Sequence, residues 1–312
     1  MTRAVVFAYH DVGVRCLSVL LAHSVDIARV YTHVDDPNEN IWFGNVEALA
    51  RAHGLPVTIV GAANDPLIIG SFEQAKPDFL FSFYYRFMLP PAVLARARRG
   101  AYNMHGSLLP KYRGRVPINW AIIHGERETG ATLHEMTPKP DAGRIVDQQA
   151  VPILPNDTAL DVFRKATVAA EMVLDRSLPA LLNGTATLKP QNLSQGSYYG
   201  GRKPEDGRID WTQPATRIHN LVRAVAPPYP GAFCTVGGKR LEILGTLNRS
   251  QRSAPPSTPT LSLSDHTLQL RCADGGMLLV TSARYDGVGL TATNFKSVLG
   301  ADTVPLHNPW HS

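Results

Sequence analysis

The sequence predicts an open, mostly parallel, Rossmann-like α/β sheet followed by a small β-rich domain. Three observations support this. Up to about residue 200, short apolar runs alternate with helix-like segments of about ten residues. Beyond that point, short runs of alternating polarity are separated by glycine-containing turns. The 312 residues suffice for one large and one smaller domain, which we place at residues 1–200 and 201–312.

The first domain is expected to begin with five short apolar strands. These are Ala4–Ala8, Ile27–Thr32, Val57–Val60, Phe79–Phe83 and Ala101–His105. Helices are expected over Gly13–Ala22, Val46–His53 and Pro90–Arg98. Apolar strands separated by helices are typical of a parallel sheet that is covered on both faces. Such sheets bind their ligands at the carboxyl ends of the strands.

Two more strands and a long helix complete this domain. The strands are expected over Thr129–Met136 and Gly143–Ala150. The helix is expected over Thr158–Leu182, because Asn156-Asp157-Thr158 can cap its start and Asn183-Gly184 can end it.

The second domain is expected to be OB-like, a partly open barrel preceded by one helix. The helix is placed at Ala215–Val225. The strands are placed at Arg240–Leu244, Thr267–Cys272 and Met277–Thr281, and Ser250–Pro259 is expected to be an exposed loop.

Composition narrows the class of protein. A hydrophobic fraction of 44% with 18% charged residues argues against disorder. No apolar run reaches the roughly 20 residues of a membrane span, and the start lacks a signal-peptide core, so we expect a cytoplasmic protein. Cys16, Cys234 and Cys272 are expected to be buried, reduced thiols. The net charge of +5 suits an anionic small molecule as well as a nucleic acid.

Several common activities of such sheets are disfavoured. The segment after the first strand lacks the glycines of a dinucleotide fingerprint, and neither a phosphate-binding P-loop nor a hydrolase Gly-X-Ser-X-Gly elbow is present. The eleven histidines are scattered without zinc-ligand spacing, so no metal is expected. His10, His33 and His53 are expected at the surface or in loops.

An amide and an imidazole mark the end of the fifth strand. Asn103 and His105 are two residues apart, so their side chains project to the same side, where both could donate to an oxyanion. Asp141, in the turn Asp141-Ala142-Gly143, could fold back and support a protonated imidazole. Ordinary explanations stay open, because Asn-X-His is a common sequence and turns favour Asp.

These residues together resemble the signature of formyltransferases that use 10-formyltetrahydrofolate. The resemblance requires Asn-X-His, then Ser107-Leu108-Leu109-Pro110, then the Asp-Ala-Gly turn, and it extends to Pro228–Ala232 in the second domain. It implies that Asn103 and His105 serve the oxyanion, that His105 donates a proton, and that Asp141 raises the basicity of His105.

The resemblance also implies a folate site, with 10-formyltetrahydrofolate as co-substrate. Its residues would be the backbone of Phe87, Met88 and Leu89, together with Arg115, Thr137, Pro138, Lys139, Pro140 and Asp141. For Phe87, Met88 and Leu89, ordinary packing stays open as an alternative explanation. For Arg115, the open alternative is a solvated surface charge. Lys111, Arg113 and Arg115 form a basic loop suited to an anion. Arg96, Arg98 and Arg99 are expected at a solvated helix end.

Within the family, the likeness is greatest to the formyltransferase half of the bifunctional UDP-4-amino-4-deoxy-L-arabinose enzyme. The segments that carry it are Tyr9–Asp11, Phe81–Arg86, His105–Arg115 and His219–Val225. It implies a nucleotide-sugar acceptor and a place in lipid A modification and polymyxin resistance. The decarboxylase half of that enzyme is missing from this sequence, so decarboxylation and hexamer formation have no support, and a separate decarboxylase chain stays open.

The main alternative acceptor is methionyl-tRNA. The corresponding loop of the tRNA enzymes is expected to be long and basic, whereas Thr32–Asn40 carries three carboxylates, which would repel phosphates. We therefore expect a nucleotide sugar and no nucleic acid. A formyltetrahydrofolate hydrolase is a weaker alternative. Residues that could contact the nucleotide sugar, or simply pack, are Tyr84, Tyr85, Arg86, Asn119, Trp120 and Asn220.

Overall fold

The computed structural model describes residues 2–37, 39–61, 68 and 75–308. The chain divides into two compact units. The first contains Met1–Pro117, Glu128–Val151 and Phe163–Gly200, and the second contains Ile118–Arg127, Pro152–Val162 and Gly201–Ser312. We retain 1–200 and 201–312 as the proposed domains of the sequence.

The first unit is built on a seven-stranded sheet. Its strands are β1 (Arg3–Ala8), β2 (Asp26–Thr32), β3 (Val57–Ile59), β4 (Phe79–Phe83), β5 (Gly100–His105), β7 (Glu128–Glu135) and β8 (Ile145–Pro152). The order across the sheet is β3-β2-β1-β4-β5-β7-β8. The pairs from β3 to β5 are parallel, whereas β7 runs antiparallel to β5. The predicted mostly parallel α/β sheet is confirmed.

Strand order places the ligand-binding edge. The chain passes from β1 to β2 and β3 on one side, and then returns to β4 on the other side of β1. The carboxyl ends of β1 and β4 therefore flank a topological switch point, where open α/β sheets bind ligands. Every residue of β4 is buried, which fixes this part of the sheet in the core of the unit.

Helices connect these strands. They are α1 (His10–Ala22), α2 (Val46–Ala52), α3 (Pro91–Leu94), α4 (Pro117–His124) and α5 (Ala159–Asn183). The prediction for Pro90–Arg98 was too long, because the backbone N–H groups of Arg98 and Arg99 donate to Pro77 and Asp78 instead of to helix carbonyls. The arginines therefore do not end a helix: the Arg98 side chain pairs with Asp78, and Arg99 donates to the carbonyls of Leu181 and Leu182.

The second unit contains an antiparallel sheet with the order β10-β11-β14-β13-β12-β16. Its strands are β10 (Ala232–Val236), β11 (Lys239–Arg252), β12 (Thr260–Ser264), β13 (Thr267–Arg271), β14 (Gly276–Tyr285), β15 (Val288–Gly289), which pairs with β14, and β16 (Thr303–Pro305). Helix α6 (Ala215–Ala224) packs its buried face into the same apolar core, and α7 covers Phe295–Leu299. A small β-rich unit was predicted and is confirmed.

One strand is longer than the sequence predicted. Strand β11 continues to Arg252, well beyond the predicted Leu244, because irregularities in its register with β14 let the long strand bend.

The three cysteines are free and buried, as predicted. Among the described residues, none of the helices combines the length and the apolar character that crossing a bilayer requires.

Candidate active site

The predicted amide and imidazole lie on β5, next to an unforeseen histidine on β7. Asn103 is the register partner of His134 in the antiparallel pairing of these strands. The Asn103 Nδ2 atom lies 3.1 Å from His134 Nε2. His134 is almost fully buried, and its Nδ1–H donates to the carbonyl of Glu135 at 2.8 Å. The ring therefore presents Nε2 toward Asn103.

Asp141 lies between this pair and His105. The sequence predicted that its carboxylate would come close to Asn103 and His105. Its Oδ1 atom lies 3.4 Å from His134 Nε2 and 3.6 Å from His105 Nδ1. The structure thus brings Asn103, His105 and Asp141 into one cluster, with His134 touching both Asn103 and Asp141. Two imidazoles share one carboxylate, an arrangement suited to holding and moving a proton.

The loop after β5 fixes the other side of His105. His105 Nε2 lies 2.8 Å from the carbonyl oxygen of Tyr112, so this nitrogen carries a hydrogen and donates. Ser107 Oγ donates to the carbonyl of Lys111 at 2.7 Å, and Thr132 Oγ1 donates to the carbonyl of Ser107 at 2.6 Å. The Ser-Leu-Leu-Pro segment therefore helps to hold the Tyr112 carbonyl next to the His105 ring.

The turn that carries Asp141 is held by hydrogen bonds from two directions. Gly114 N–H donates to Asp141 Oδ2 at 2.8 Å. Gln191 Nε2 donates to the backbone carbonyls of Asp141 and Gly143, at 3.0 and 2.6 Å. Asp141 adopts a φ of +50°, a left-handed conformation that a non-glycine residue occupies at a cost. The surrounding contacts offset that cost and aim the carboxylate at the two histidines.

The electrostatics of this turn favour a carboxylate. Burial alone would raise the pKa of Asp141. His105, His134 and the Gly114 N–H act in the opposite direction and hold the pKa of Asp141 below its ordinary value. Asp141 is therefore an anion at neutral pH.

The predicted folate residues fall into two segments. Phe87, Met88 and Leu89 lie in coil just after β4, outside the sheet, with Met88 exposed and Leu89 buried. Thr137, Pro138, Lys139 and Pro140 form the loop that leads into Asp141, and Thr137 Oγ1 donates to the carbonyl of Lys139. Arg115 is exposed.

The basic loop contains one buried cation. Arg113 is 9% exposed, and its Nε has no hydrogen-bond partner among the described residues. The Arg113–Gly114 segment forms a two-residue strand, β6, that pairs with β9 (Tyr198–Tyr199). A buried guanidinium is costly without an anion, so Arg113 is a candidate anion ligand.

The residues that sequence analysis left as possible contacts of a nucleotide sugar have different surroundings. Arg86 lies over the ring of Tyr9 and forms an ion pair with Glu39. Tyr84 lies within ring contact of His10. In the second unit, Asn119 is buried and donates to the carbonyl of Ala224, and Asn220 accepts from Arg223 Nε. Asn119 is thus a packing residue. Trp120 stacks on His124.

The prediction for the outlying histidines was partly wrong. His53 is exposed, as expected. His33 lies in a loop, but its ring is buried between aromatic side chains. His10 begins α1 with a φ of +67°, and its ring stacks on Phe43. Burial lowers the pKa of His10 to about 3 and that of His33 to about 4, with Arg86 adding to both effects, so both rings are neutral.

Sequence analysis missed one residue of the cluster, His134, and one residue that holds the Asp141 turn, Gln191. His134 stands between Leu133 and Glu135 near the end of β7, and no local motif marks it as functional. Its pairing opposite Asn103 was the signal that could have found it, but that pairing is long-range. Gln191 lies in coil 50 residues after Asp141, and no sequence pattern marks it.

Sequence profiles identify two regions of the chain. Residues 22–178 match the formyl transferase family, and residues 202–297 match the formyl transferase C-terminal domain. Among the described residues, no group of three or more His, Cys, Asp or Glu side chains could hold a metal ion.

Solved structures share the fold at low identity. One is an N-formyltransferase from Helicobacter canadensis in complex with folinic acid and dTDP-3-aminofucose, with 20% identity, a TM-score of 0.71, and coverage of 90% of this chain and 99% of that chain. A sugar N-formyltransferase from Shewanella sp. FDAARGOS_354 has 19% identity, a TM-score of 0.62, and coverage of 78% and 96%. HypX from Aquifex aeolicus in complex with tetrahydrofolic acid has 19% identity, a TM-score of 0.65, and coverage of 96% and 48%.

Proposed function

The chain belongs to the formyl transferase family, and on that premise we propose that it transfers the formyl group of 10-formyltetrahydrofolate to the amine of a nucleotide-linked amino sugar. The observation that supports this most is the cluster of Asn103, His105 and Asp141 at the carboxyl end of β5. The acceptor we propose is UDP-4-amino-4-deoxy-L-arabinose, for which the sequence resemblance is the support. A role in lipid A modification and polymyxin resistance follows from that acceptor.

The reaction imposes two demands on the protein. Attack of the amine on the formyl carbon forms a tetrahedral intermediate with a negative oxygen, and a proton must pass from the attacking nitrogen to the departing folate nitrogen. Asn103 meets the first demand, because an amide N–H in a half-buried site stabilises an oxyanion without reorganisation.

His105 and Asp141 meet the second demand. The Nε2–H of His105 is engaged by Tyr112, so Nδ1, on the side of Asp141, is the position where a proton can be taken up and released. The anionic Asp141 stabilises the imidazolium formed at that moment. Proton transfer through the Nε2 side would first require the Tyr112 hydrogen bond to break.

The co-substrate and acceptor would then approach from the same edge of the sheet. We propose that the backbone of Phe87–Leu89 and the loop from Thr137 to Asp141, with Arg115, hold the folate. Arg113 is suited to the negative charge of either the folate or the nucleotide diphosphate. The carboxylates of Asp35 and Glu39 disfavour a tRNA acceptor, because they would repel a phosphate backbone. Asn38 of the same loop lies outside the described residues.

The direct test is incubation with 10-formyltetrahydrofolate and a panel of amino-sugar nucleotides, followed by product mass. We expect one added formyl group on UDP-4-amino-4-deoxy-L-arabinose. The Asn103→Ala variant should fold normally and lose a factor of about 10²–10³ in rate. Transfer only to charged initiator tRNA, or release of free formate without an amine product, would contradict the proposal.

A further inference from the structure

One segment of the first unit contacts both of the loops that build the reacting cluster. It consists of residues 189–199, which follow α5 and come just before the chain enters the second unit for the last time. One of the loops is residues 106–115, which carry the Tyr112 carbonyl that accepts from His105 Nε2. The other is the turn that carries Asp141. These three stretches all belong to the first unit.

The start of the 189–199 segment binds the turn. Gln191 Nε2 donates to the backbone carbonyls of Asp141 and Gly143, at 3.0 and 2.6 Å. Just beyond the turn, Lys189 and Ile145 exchange a pair of backbone hydrogen bonds, at 2.7 and 2.8 Å. The Gln191 Oε1 atom is buried and has no hydrogen-bond partner among the described residues. The turn therefore uses the donor end of this amide and not its acceptor end.

The end of the same segment binds the loop after β5. Ser197 Oγ accepts from the Tyr112 N–H at 2.9 Å, and the Ser197 carbonyl accepts from the Arg113 N–H at 3.0 Å. The Tyr112 carbonyl and the Arg113 N–H belong to one planar peptide group. This group is therefore bonded at both ends, by its carbonyl to His105 Nε2 and by its N–H to Ser197.

Close packing adds to these hydrogen bonds. A Cβ built on Gly196 would lie 2.3 Å from the carbonyl oxygen of Pro110, so only glycine allows this approach of the two backbones. Two residues later in the chain of the first loop, the Tyr112 ring stacks on the Tyr199 ring at 5.4 Å between centroids. The segment and the loop are in direct contact, and displacement of one therefore displaces the other.

The geometry of the cluster depends on both loops at once. Asp141 Oδ1 lies 3.6 Å from His105 Nδ1, and the Gly114 N–H of the first loop donates to Asp141 Oδ2 at 2.8 Å. A shift of about 1 Å in the position of a reacting group can cost about 10²-fold in rate. Bonds from a third stretch of chain to both loops oppose such a shift.

We propose that Gln191 and Ser197 are positioning residues for formyl transfer, an inference that rests on the proposed function. Gln191 holds the turn at its backbone, so that the Asp141 carboxylate stays directed at His105. Ser197 holds the peptide group whose carbonyl fixes the opposite side of the His105 ring. The 189–199 segment thereby sets the distance between the carboxylate and the imidazole.

Two substitutions remove these contacts without adding charge. Gln191→Met has nearly the same length but no donor, and Ser197→Ala removes the hydroxyl that accepts from Tyr112. Gln195→Met is the matched control, because Gln195 belongs to the same segment and is exposed. Melting curves identify a variant that fails to fold, in which case the other variant provides the test.

The carboxyl carbon of Asp141 reports its surroundings independently of catalysis. Burial would raise the pKa of Asp141, but its neighbours in the cluster hold it below its ordinary value. Nuclear magnetic resonance of carbon-13-labelled aspartate follows this carbon between about pH 6 and 3, the range in which an ordinary Asp titrates. We expect the wild type and Gln195→Met to titrate below the ordinary range, and Gln191→Met and Ser197→Ala to titrate at least about one pH unit higher than the wild type.

Steady-state kinetics supply the second readout. Gln191→Met and Ser197→Ala should each lower kcat by about tenfold or more and leave both KM values within about threefold, whereas Gln195→Met should change kcat by less than about twofold. Gln191→Lys, which again offers a donor to the two carbonyls, should recover part of the loss. A rise in KM at unchanged kcat would show that the segment binds a substrate and would overturn the proposal.

The two readouts separate this inference from the proposed function. If the wild type formylates the nucleotide sugar but Gln191→Met and Ser197→Ala retain its kcat and its Asp141 titration, the positioning role is wrong and the function stands. If the Asp141 titration shifts in these variants but no amino sugar is formylated by the wild type, the function is wrong and the control of the Asp141 position by this segment stands.

Discussion

His105 Nε2 donates to the Tyr112 carbonyl, and His105 Nδ1 lies 3.6 Å from the Asp141 carboxylate, so the two nitrogens have different neighbours. On the proposed function, this asymmetry would divide the tasks of Asn103 and His105, which the sequence resemblance grouped together. We propose that the half-buried Asn103 serves the oxyanion, and that His105 carries the proton on Nδ1 while Asp141 stays anionic. Preorganised geometry of this kind lowers the barrier because little rearrangement is needed during the reaction.

His134 should affect turnover without touching either substrate. It contacts Asn103 and Asp141 at 3.1 and 3.4 Å, so its loss would leave both free to shift. We expect His134→Ala to lower kcat by about 10²-fold, the effect of a displacement of about 1 Å, with little change in KM. His134→Gln, which restores a polar group, should recover part of the loss.

Steady-state kinetics of these variants, with exposed His53→Ala as the matched control, measure the effect. A rise in KM with unchanged kcat would show that His134 binds a substrate instead of positioning Asn103 and Asp141.

Asp141 should also link stability to acid pH. Its pKa is held below the unfolded value of about 3.9, so the unfolded chain takes up a proton at this carboxyl first as the pH falls. The stabilisation is complete above the unfolded pKa and is lost as the pH falls toward the folded one.

Denaturant unfolding of the wild type and Asp141→Asn between about pH 6 and 3 checks this linkage, because the carboxyl of the unfolded chain titrates within that range. Below about pH 4 the wild type should lose more stability than the variant, by up to about 1.4 kcal/mol for each pH unit. Parallel losses in the two proteins would exclude a depressed pKa.

At the level of elements, the turn that carries Asp141 depends on a glycine. A Cβ built on Gly143 would lie 1.9 Å from the carbonyl oxygen of Glu135, a backbone atom that cannot easily move. Gly143→Ala should therefore lift the turn from the end of β7 and carry Asp141 away from His105. We expect a loss of activity of at least about tenfold and a stability loss of about 1–3 kcal/mol.

Gly289→Ala is the matched control, because a Cβ there meets nothing within 4 Å. Comparison of kcat and of unfolding midpoints for the two alanine variants measures the effect. If Gly143→Ala behaved like Gly289→Ala, the packing of the turn against β7 would not control the position of Asp141.

Elements with a clear periodic pattern were predictable, whereas those that depend on distant partners were not. Strand β4 was predicted at its exact bounds, because a buried apolar run ends there in polar residues. The end of α3 was not predicted correctly, because the backbone N–H groups of Arg98 and Arg99 form hydrogen bonds with residues just before β4. The cluster divides in the same way: Asn103, His105 and Asp141 stand in motifs that the sequence resemblance marks, whereas His134 enters only through the register of β5 with β7.

The whole molecule carries a modest positive charge, with 31 basic and 26 acidic residues and a net +5. A small nucleotide-sugar acceptor makes few phosphate contacts, so its binding should depend weakly on salt. We expect its KM to change by less than about tenfold between 50 and 200 mM salt, values over which a nucleic-acid binder with 6–10 phosphate contacts loses about 10³–10⁵ in affinity. A steep decline in affinity, measured by kinetics across a salt series, would instead indicate an extended phosphate backbone as the partner.

The most direct measurement follows a carbon-13 label placed in the formyl group of 10-formyltetrahydrofolate. With wild-type protein and UDP-4-amino-4-deoxy-L-arabinose, nuclear magnetic resonance should detect the label in an amide on the sugar nitrogen, and Asn103→Ala should slow its appearance by about 10²–10³. Label that accumulates as free formate, or an amide signal that forms equally fast in the variant, would contradict formyl transfer at this cluster.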